Sequence, residues 1–260
     1  KSVVFQNKLG TLHDKSERVA ALALAIAGQI DGDGELAHRA GMLSRTDLMT
    51  EMVYEFPDMQ GIMGRYQAHR DGEPDELAGA MEEFYLPRFS GDALPHSRTG
   101  IAIALAERLD TLVGIFGINQ KPTGEKDPFG LRRASIGILR ILKEHRLPVV
   151  MSVLLQLAVD GLVERFENED VITEVYDYIL VSLRGIYADE GVPADLFHAV
   201  AELSPDTLGD FDQRIQAVAA FRDLPEAESL AAANKRIRNI LKKAEESIPD
   251  SIDADLFETG

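Results

Sequence analysis

The chain has 260 residues, 45% of them hydrophobic and 27% charged, which excludes general disorder and allows one large domain or two smaller ones. A formal net charge of −17 excludes general nucleic-acid binding by the whole surface, because phosphate affinity comes from Lys and Arg, but it allows a local basic face. With no Cys there can be no disulfide or thiolate metal site, and no apolar run approaches the roughly 18 residues of a membrane span.

In chain order, Lys15–Ile30 places Val19, Leu22, Ala23 and Ile26 on one stripe, and Gly32-Asp33-Gly34 stops that helix. Glu35–Tyr54 holds one or two further helical stretches, ending at Phe56-Pro57. Gln60–His69 and Asp75–Tyr85 follow, separated by the turn at 70–74. Arg98–Phe116 is the most apolar long helix, and its Gly100, Ala102, Ala104 and Ala106 allow close packing, so it is expected at the centre of a first domain. Asn119–Asp127 is a loop, after which Pro128 fits the first turn of a helix capped by Asp127 and running to about His145. Val150–Glu167, Asp170–Glu190, Pro193–Leu203, Phe211–Phe221 and Glu226–Ser247 are further helices, and Ile248–Gly260 reads as an acidic linker. Val/Ile/Thr alternation is nearly absent, so no strand is predicted and the fold class is all-α. Domain boundaries are expected near Leu147-Pro148 and near 204–209, dividing the chain into 1–147, 148–205 and 206–260. The chain opens on Lys1 and closes on Glu258-Thr259-Gly260, with no basic-then-apolar leader; it is expected to be a piece of a longer, cytoplasmic polypeptide.

Positive charge concentrates at Lys121, Lys126, Arg132 and Arg133, where an apolar helix runs into a loop and the loop into an Arg pair. The segment lacks G-x-x-x-x-G-K-[ST], so it is either a solvated connector or an anion contact next to a helix start, with Glu125 and Asp127 opposing the field. Phe56–Tyr66 carries Gly61 and Gly64 with Gln60 and Arg65. It can place a polar side chain in a cleft, or the glycines can simply permit tight helix crossing. In Ala233–Lys243, Ile237, Ile240 and Leu241 are expected to face a core, while Lys235, Arg236, Arg238, Lys242 and Lys243 form a solvated face or a contact for nucleic acid or protein. The six His residues show no H-E-x-x-H spacing and read as surface or capping residues, and there is no G-x-S-x-G. No catalytic residue and no metal site is predicted.

Four long words, KLGTLHDKSERV (Lys8–Val19), RTDLMTEMVYEFPDMQGIMGRY (Arg45–Tyr66), ERLDTLVGIFGINQKPTGEKDPFGLRRASIGILRIL (Glu107–Leu142) and AANKRIRNIL (Ala232–Leu241), resemble the bacterial glycyl-tRNA synthetase β subunit. The resemblance implies a tetramer of two α and two β chains. It puts glycine activation, with ATP and Mg, on the α subunit, and most recognition of tRNA(Gly) on the β subunit, with no cofactor in this part. It further implies an HD-type helical bundle in the first part and, from about Phe211, the start of a helical anticodon-binding region. HD hydrolases bind metal through His, a His-Asp doublet and a distant Asp. Here Met42-Leu43-Ser44-Arg45-Thr46-Asp47 has no doublet, and Ala106-Glu107-Arg108-Leu109 has Glu at the Asp position. His13 remains as a ligand, with Asp47 or Asp110 beside it, so the domain is expected to be a degenerate one that docks RNA. The expected tRNA-binding residues are Arg65, Lys121, Lys126, Arg132, Arg133, Lys235, Arg236 and Arg238. The alternatives are an active HD phosphohydrolase, or a module that contacts the α subunit without touching RNA.

Overall fold

Thr11 starts the first long helix with a reciprocal cap: its side chain accepts from the Asp14 amide at 3.2 Å, and the Asp14 carboxylate accepts from the Thr11 amide at 2.8 Å. In the computed structural model, which describes residues 3–123 and 126–243, this helix is α1 (Leu12–Gln29). Asp33 caps α2 (Gly34–Leu43) by accepting from the Leu36 amide at 3.0 Å. The two helices cross closely at Gly41, where a Cβ would lie 2.6 Å from the Cα of Ala20. A 3₁₀ turn at Thr46–Met49 separates α2 from the short α3 (Glu51–Glu55), and α4 (Ile62–Arg70) and α5 (Asp75–Glu83) follow.

The centre is α6 (Arg98–Gly117), in which every residue from Thr99 to Gly117 except Glu107 is buried, as its all-round apolar sequence requires. It packs against α1, α2 and α5, and against α7 (Leu131–Glu144), α8 (Met151–Asp160) and α9 (Val171–Asp189). The chain's own carboxylates already occupy its N-terminus. Glu83 accepts from the Ser97 amide and hydroxyl at 3.2 and 2.6 Å, and Glu76 accepts from the Thr99 amide at 3.1 Å. Then come α10 (Ala194–Ala201), α11 (Leu208–Arg222) and α12 (Ala227–Leu241), making twelve α-helices among the described residues. None of the described helices is long and apolar enough to cross a membrane.

The all-α class holds, with local differences. A small antiparallel pair precedes α1: β1 (Val4–Gln6) lies against β2 (Gly10–Thr11), with Val4 opposite Thr11. Strands of two and three residues are too short to display the alternation that sequence reading depends on. The helix after the loop begins at Leu131 rather than at Pro128, because Asp127-Pro128-Phe129-Gly130 forms a turn closed by Gly130 N–H donating to Asp127 C=O (3.2 Å). Gly130 takes the left-handed φ of 67° that this helix start needs.

The chain forms two compact units, Lys1–Gln213 and Arg214–Gly260. Within the first, Leu147-Pro148 lies in the connection between α7 and α8, and Phe211 packs in tilted contact with Tyr187 and Phe197 at centroid distances of 5.4 and 5.2 Å. In the second, Ile237, Ile240 and Leu241 are exposed and face no core among the described residues. Helical period reports an apolar face, not whether anything covers it. The end of the predicted Glu226–Ser247 helix and the Ile248–Gly260 linker lie outside the described residues.

Candidate nucleic-acid interface

Two groups of cations meet along α6, and their surroundings differ. Glu107 and Asp110, one turn apart on α6, face Lys15 and Arg18, one turn apart on α1. Lys15 Nζ is buried and sits 3.0 Å from Asp110 Oδ2, 2.6 Å from Thr111 Oγ1 and 3.4 Å from Glu107 Oε1. Arg18 grips the same Asp110 through Nε (2.7 Å) and Nη2 (3.2 Å), while its Nη1 donates to Leu9 C=O. Arg45, just before the 3₁₀ turn, pairs with Glu107 and donates to Ser16 Oγ at 3.1 Å. Burial alone would raise the Asp110 carboxyl, but Lys15 and Arg18 outweigh it and hold the group below its ordinary range.

Beside this network lies a cleft of about 810 Å³, walled by the 45–60 segment, the chain leaving α5, one side of α6 and the first turn of α7. Four arginines line it, Arg45, Arg88, Arg108 and Arg133, against two carboxylates, Asp58 and Glu107. Asp92 neutralises Arg88 through bonds of 2.9 and 3.3 Å, and that hydrogen bonding, outweighing burial, pulls the Asp92 carboxyl down to about 2. Arg45 has Glu107. Arg108 is different. It is only 8% exposed, and among the described residues it donates solely to main-chain oxygens, those of Ala104 (2.7 Å), Tyr85 (3.3 Å) and Pro87 (3.0 Å). Burial lowers its pKa to about 10, with Glu107 acting in the opposite direction, so the guanidinium stays charged at neutral pH. Its shaft crosses α7 at Gly137, where a Cβ would stand 2.6 Å from Arg108 Nε. Arg133 is exposed and has no ion pair among the described residues.

The amides at the start of α7, expected to attract an anion, are already used: Asp127 accepts from Leu131 N at 2.8 Å and from Arg132 N at 2.9 Å. The Asp127 carboxylate thus takes the place that an anion would have on these two amides. Of the residues singled out from sequence, Arg133 lines the cleft and Arg132 is its exposed neighbour. Lys121 pairs with Glu174, and Lys126 is exposed beside Gly124 and Glu125, which lie outside the described residues. Arg65 pairs with Glu82 at 2.8 Å, whereas Gln60 does line the cleft. Gly61 and Gly64 are tight positions as well, with added Cβ atoms falling 2.7 Å from the Tyr85 ring and 3.3 Å from Met81. Lys235, Arg236 and Arg238 are exposed on α12, in the second unit. Sequence reasoning missed Arg45, Arg88 and Arg108. The available signal was Arg108 itself, a charged residue inside the most apolar helix, where burial is rare.

Among the described residues, the group with metal-ligand spacing is His13, Asp14 and Glu17. Its Asp14 is engaged in the α1 cap, and His13 Nδ1 lies 3.5 Å from Glu17. Asp110 is held by Lys15 and Arg18, and Asp47 accepts from the Gly61 amide (2.7 Å) and the Tyr85 hydroxyl (3.3 Å).

A family model described as "Glycyl-tRNA synthetase beta subunit" matches residues 1–202. The chain is 51% identical over 259 residues to the glycine–tRNA ligase beta subunit of Marinobacter nauticus. It is 52% identical over 258 residues to that of Coxiella burnetii, and 50% over 258 to that of Pseudomonas putida. Each match takes in 99% of this chain but only 37–38% of the relative, so the chain spans little more than a third of their length.

Proposed function

The chain belongs to the glycyl-tRNA synthetase β-subunit family, and from that premise we propose that it supplies a tRNA-docking surface to a cytoplasmic glycine–tRNA ligase. Glycine activation with ATP and Mg falls to the α subunit of an assembly of two α and two β chains. This part acts by position, holding tRNA(Gly) so that its 3′ end reaches the glycyl-adenylate. The observation that carries the reading is the local excess of positive charge at Arg108 and Arg133 in a chain of net charge −17. Lys126, Arg132, Lys235, Arg236 and Arg238 extend the candidate phosphate contacts, and Arg65 and Lys121 would join them by exchanging their carboxylate partners.

Residues 1–147 are read as a degenerate HD domain. Glu107, which stands at the Asp position of the HD pattern, and Asp110, a candidate ligand, carry Lys15, Arg18 and Arg45 as counter-ions. Ammonium and guanidinium groups cannot activate water as a divalent ion does. That favours docking over hydrolysis.

The test is Arg132→Ala with Arg133→Ala in the full-length β chain assembled with α. Affinity for tRNA(Gly) is expected to fall, and the log–log salt slope to flatten by about 0.7–0.9 for each phosphate the protein no longer neutralises. Unchanged affinity and slope would contradict the assignment.

A further inference from the structure

We propose that the cleft is a subsite for one unstacked nucleotide of a single-stranded RNA segment, its phosphate on Arg108 and Arg133 and its base face on Phe89. This rests on the docking reading above and specifies which form of RNA the cleft accepts.

Charge selects the phosphate position. Arg88 and Arg45 are neutralised by Asp92 and Glu107, so the positive remainder lies on Arg108 and Arg133, opposed by the exposed Asp58. Protein acceptors take three of the five N–H donors of Arg108, all of them main-chain oxygens that carry no formal charge. A buried cation without a carboxylate partner is costly, and an arriving phosphate oxygen would supply both the missing charge and an acceptor for its free donors.

Aromatic exposure selects the base position. Phe89 lines the same cleft with 62% of its surface exposed, and the Arg88 guanidinium lies 5.9 Å from its ring centroid. Phe129, half-buried, contributes a second ring to the lining. Exposed aromatic faces beside cations are what a splayed base stacks on. A duplex keeps its bases paired and stacked inside, so it cannot offer a base face to Phe89, although its outer phosphates could still reach Arg133. The cleft volume of about 810 Å³ falls within the range of sites that enclose a small ligand.

The experiment uses the full-length β chain assembled with α and three labelled probes: a single-stranded octanucleotide, its abasic counterpart and a blunt RNA duplex. Phe89→Ala is expected to weaken octanucleotide binding by about tenfold, the loss of one stacked base, and to leave the abasic probe and the duplex unaffected. Phe89→Tyr keeps the ring and is expected to retain wild-type affinity. Phe89 is exposed, so the substitution leaves the core intact, and circular dichroism checks this. Equal losses on the octanucleotide and abasic probes, or none on either, would overturn the subsite. It would also be overturned if Phe89→Ala abolished AMP binding without affecting the octanucleotide, which would assign the cleft to a free nucleotide. If Phe89→Ala is silent while the Arg132/Arg133 double variant still weakens tRNA binding, only the subsite fails. If both are silent, the docking reading fails with it.

Discussion

Arg18 and Arg108 are both cations at α6, yet they stand in opposite relations to the rest of the chain. Arg18 reaches α6 from outside and closes on Asp110, with Lys15 on the same carboxylate. Arg108 originates on α6, two residues before Asp110 and so about 200° around the helix, and finds only carbonyl oxygens. The first cluster is a structural element in which every cation meets a carboxylate, Lys15 and Arg18 on Asp110 and Arg45 on Glu107. The second carries charge that the fold leaves unmatched at a cleft. Positive residues therefore cannot be counted as RNA contacts from sequence alone; what each one already touches decides whether it is available.

The sharpest way to break this contrast is Asp110→Ala, which leaves Lys15 and Arg18 facing each other without their carboxylate. Urea unfolding at pH 7 is expected to show a loss of about 3–5 kcal/mol, the cost of orphaning buried charge. A loss within error of zero would mean that the Asp110 ion pairs do not hold the cluster together. The pH dependence follows from the same carboxyl. Its folded pKa lies below the ordinary 3.8, so it contributes its full stabilisation above that value. That contribution fades as pH falls through the folded value. The stability gap between wild type and Asp110→Ala should therefore be full at neutral pH and narrow only in strong acid.

Gly137→Ala probes the other side. Its Cβ would meet Arg108 Nε at 2.6 Å, forcing the guanidinium or α7 to shift. The expected cost is about 1–3 kcal/mol of overpacking, accompanied by weaker octanucleotide binding at the cleft. A stable variant with unaltered RNA binding would show that the placement of Arg108 does not matter to the ligand.

Much of the fold was legible because helix starts and apolar stripes are local. Ser97 caps α6, accepting from the Gly100 amide at 2.9 Å, and the buried face of α7 follows the period from Leu131 through Leu142. What was not legible is tertiary or very short. The β1–β2 pair is below the length at which a pattern exists, and the exposed face of α12 looks the same on paper as a buried one. The cleft illustrates the limit best. Arg45, Arg88, Arg108 and Arg133 are scattered through 89 positions of sequence, and only packing around α6 brings them to one wall system. Arg133 stood out because it follows another cation, whereas Arg88 stands between Pro87 and Phe89 and Arg108 has the acidic neighbours Glu107 and Asp110.

The most direct measurement is arginine modification by phenylglyoxal on the full-length β chain assembled with α, read by peptide mass spectrometry with and without saturating tRNA(Gly). Arg133 is expected to be reactive alone and protected by tRNA, and Arg18, locked on Asp110, to be unreactive in both states. Equal modification of Arg133 with and without tRNA would contradict the central claim that the unmatched arginines of the cleft are the ones that meet RNA.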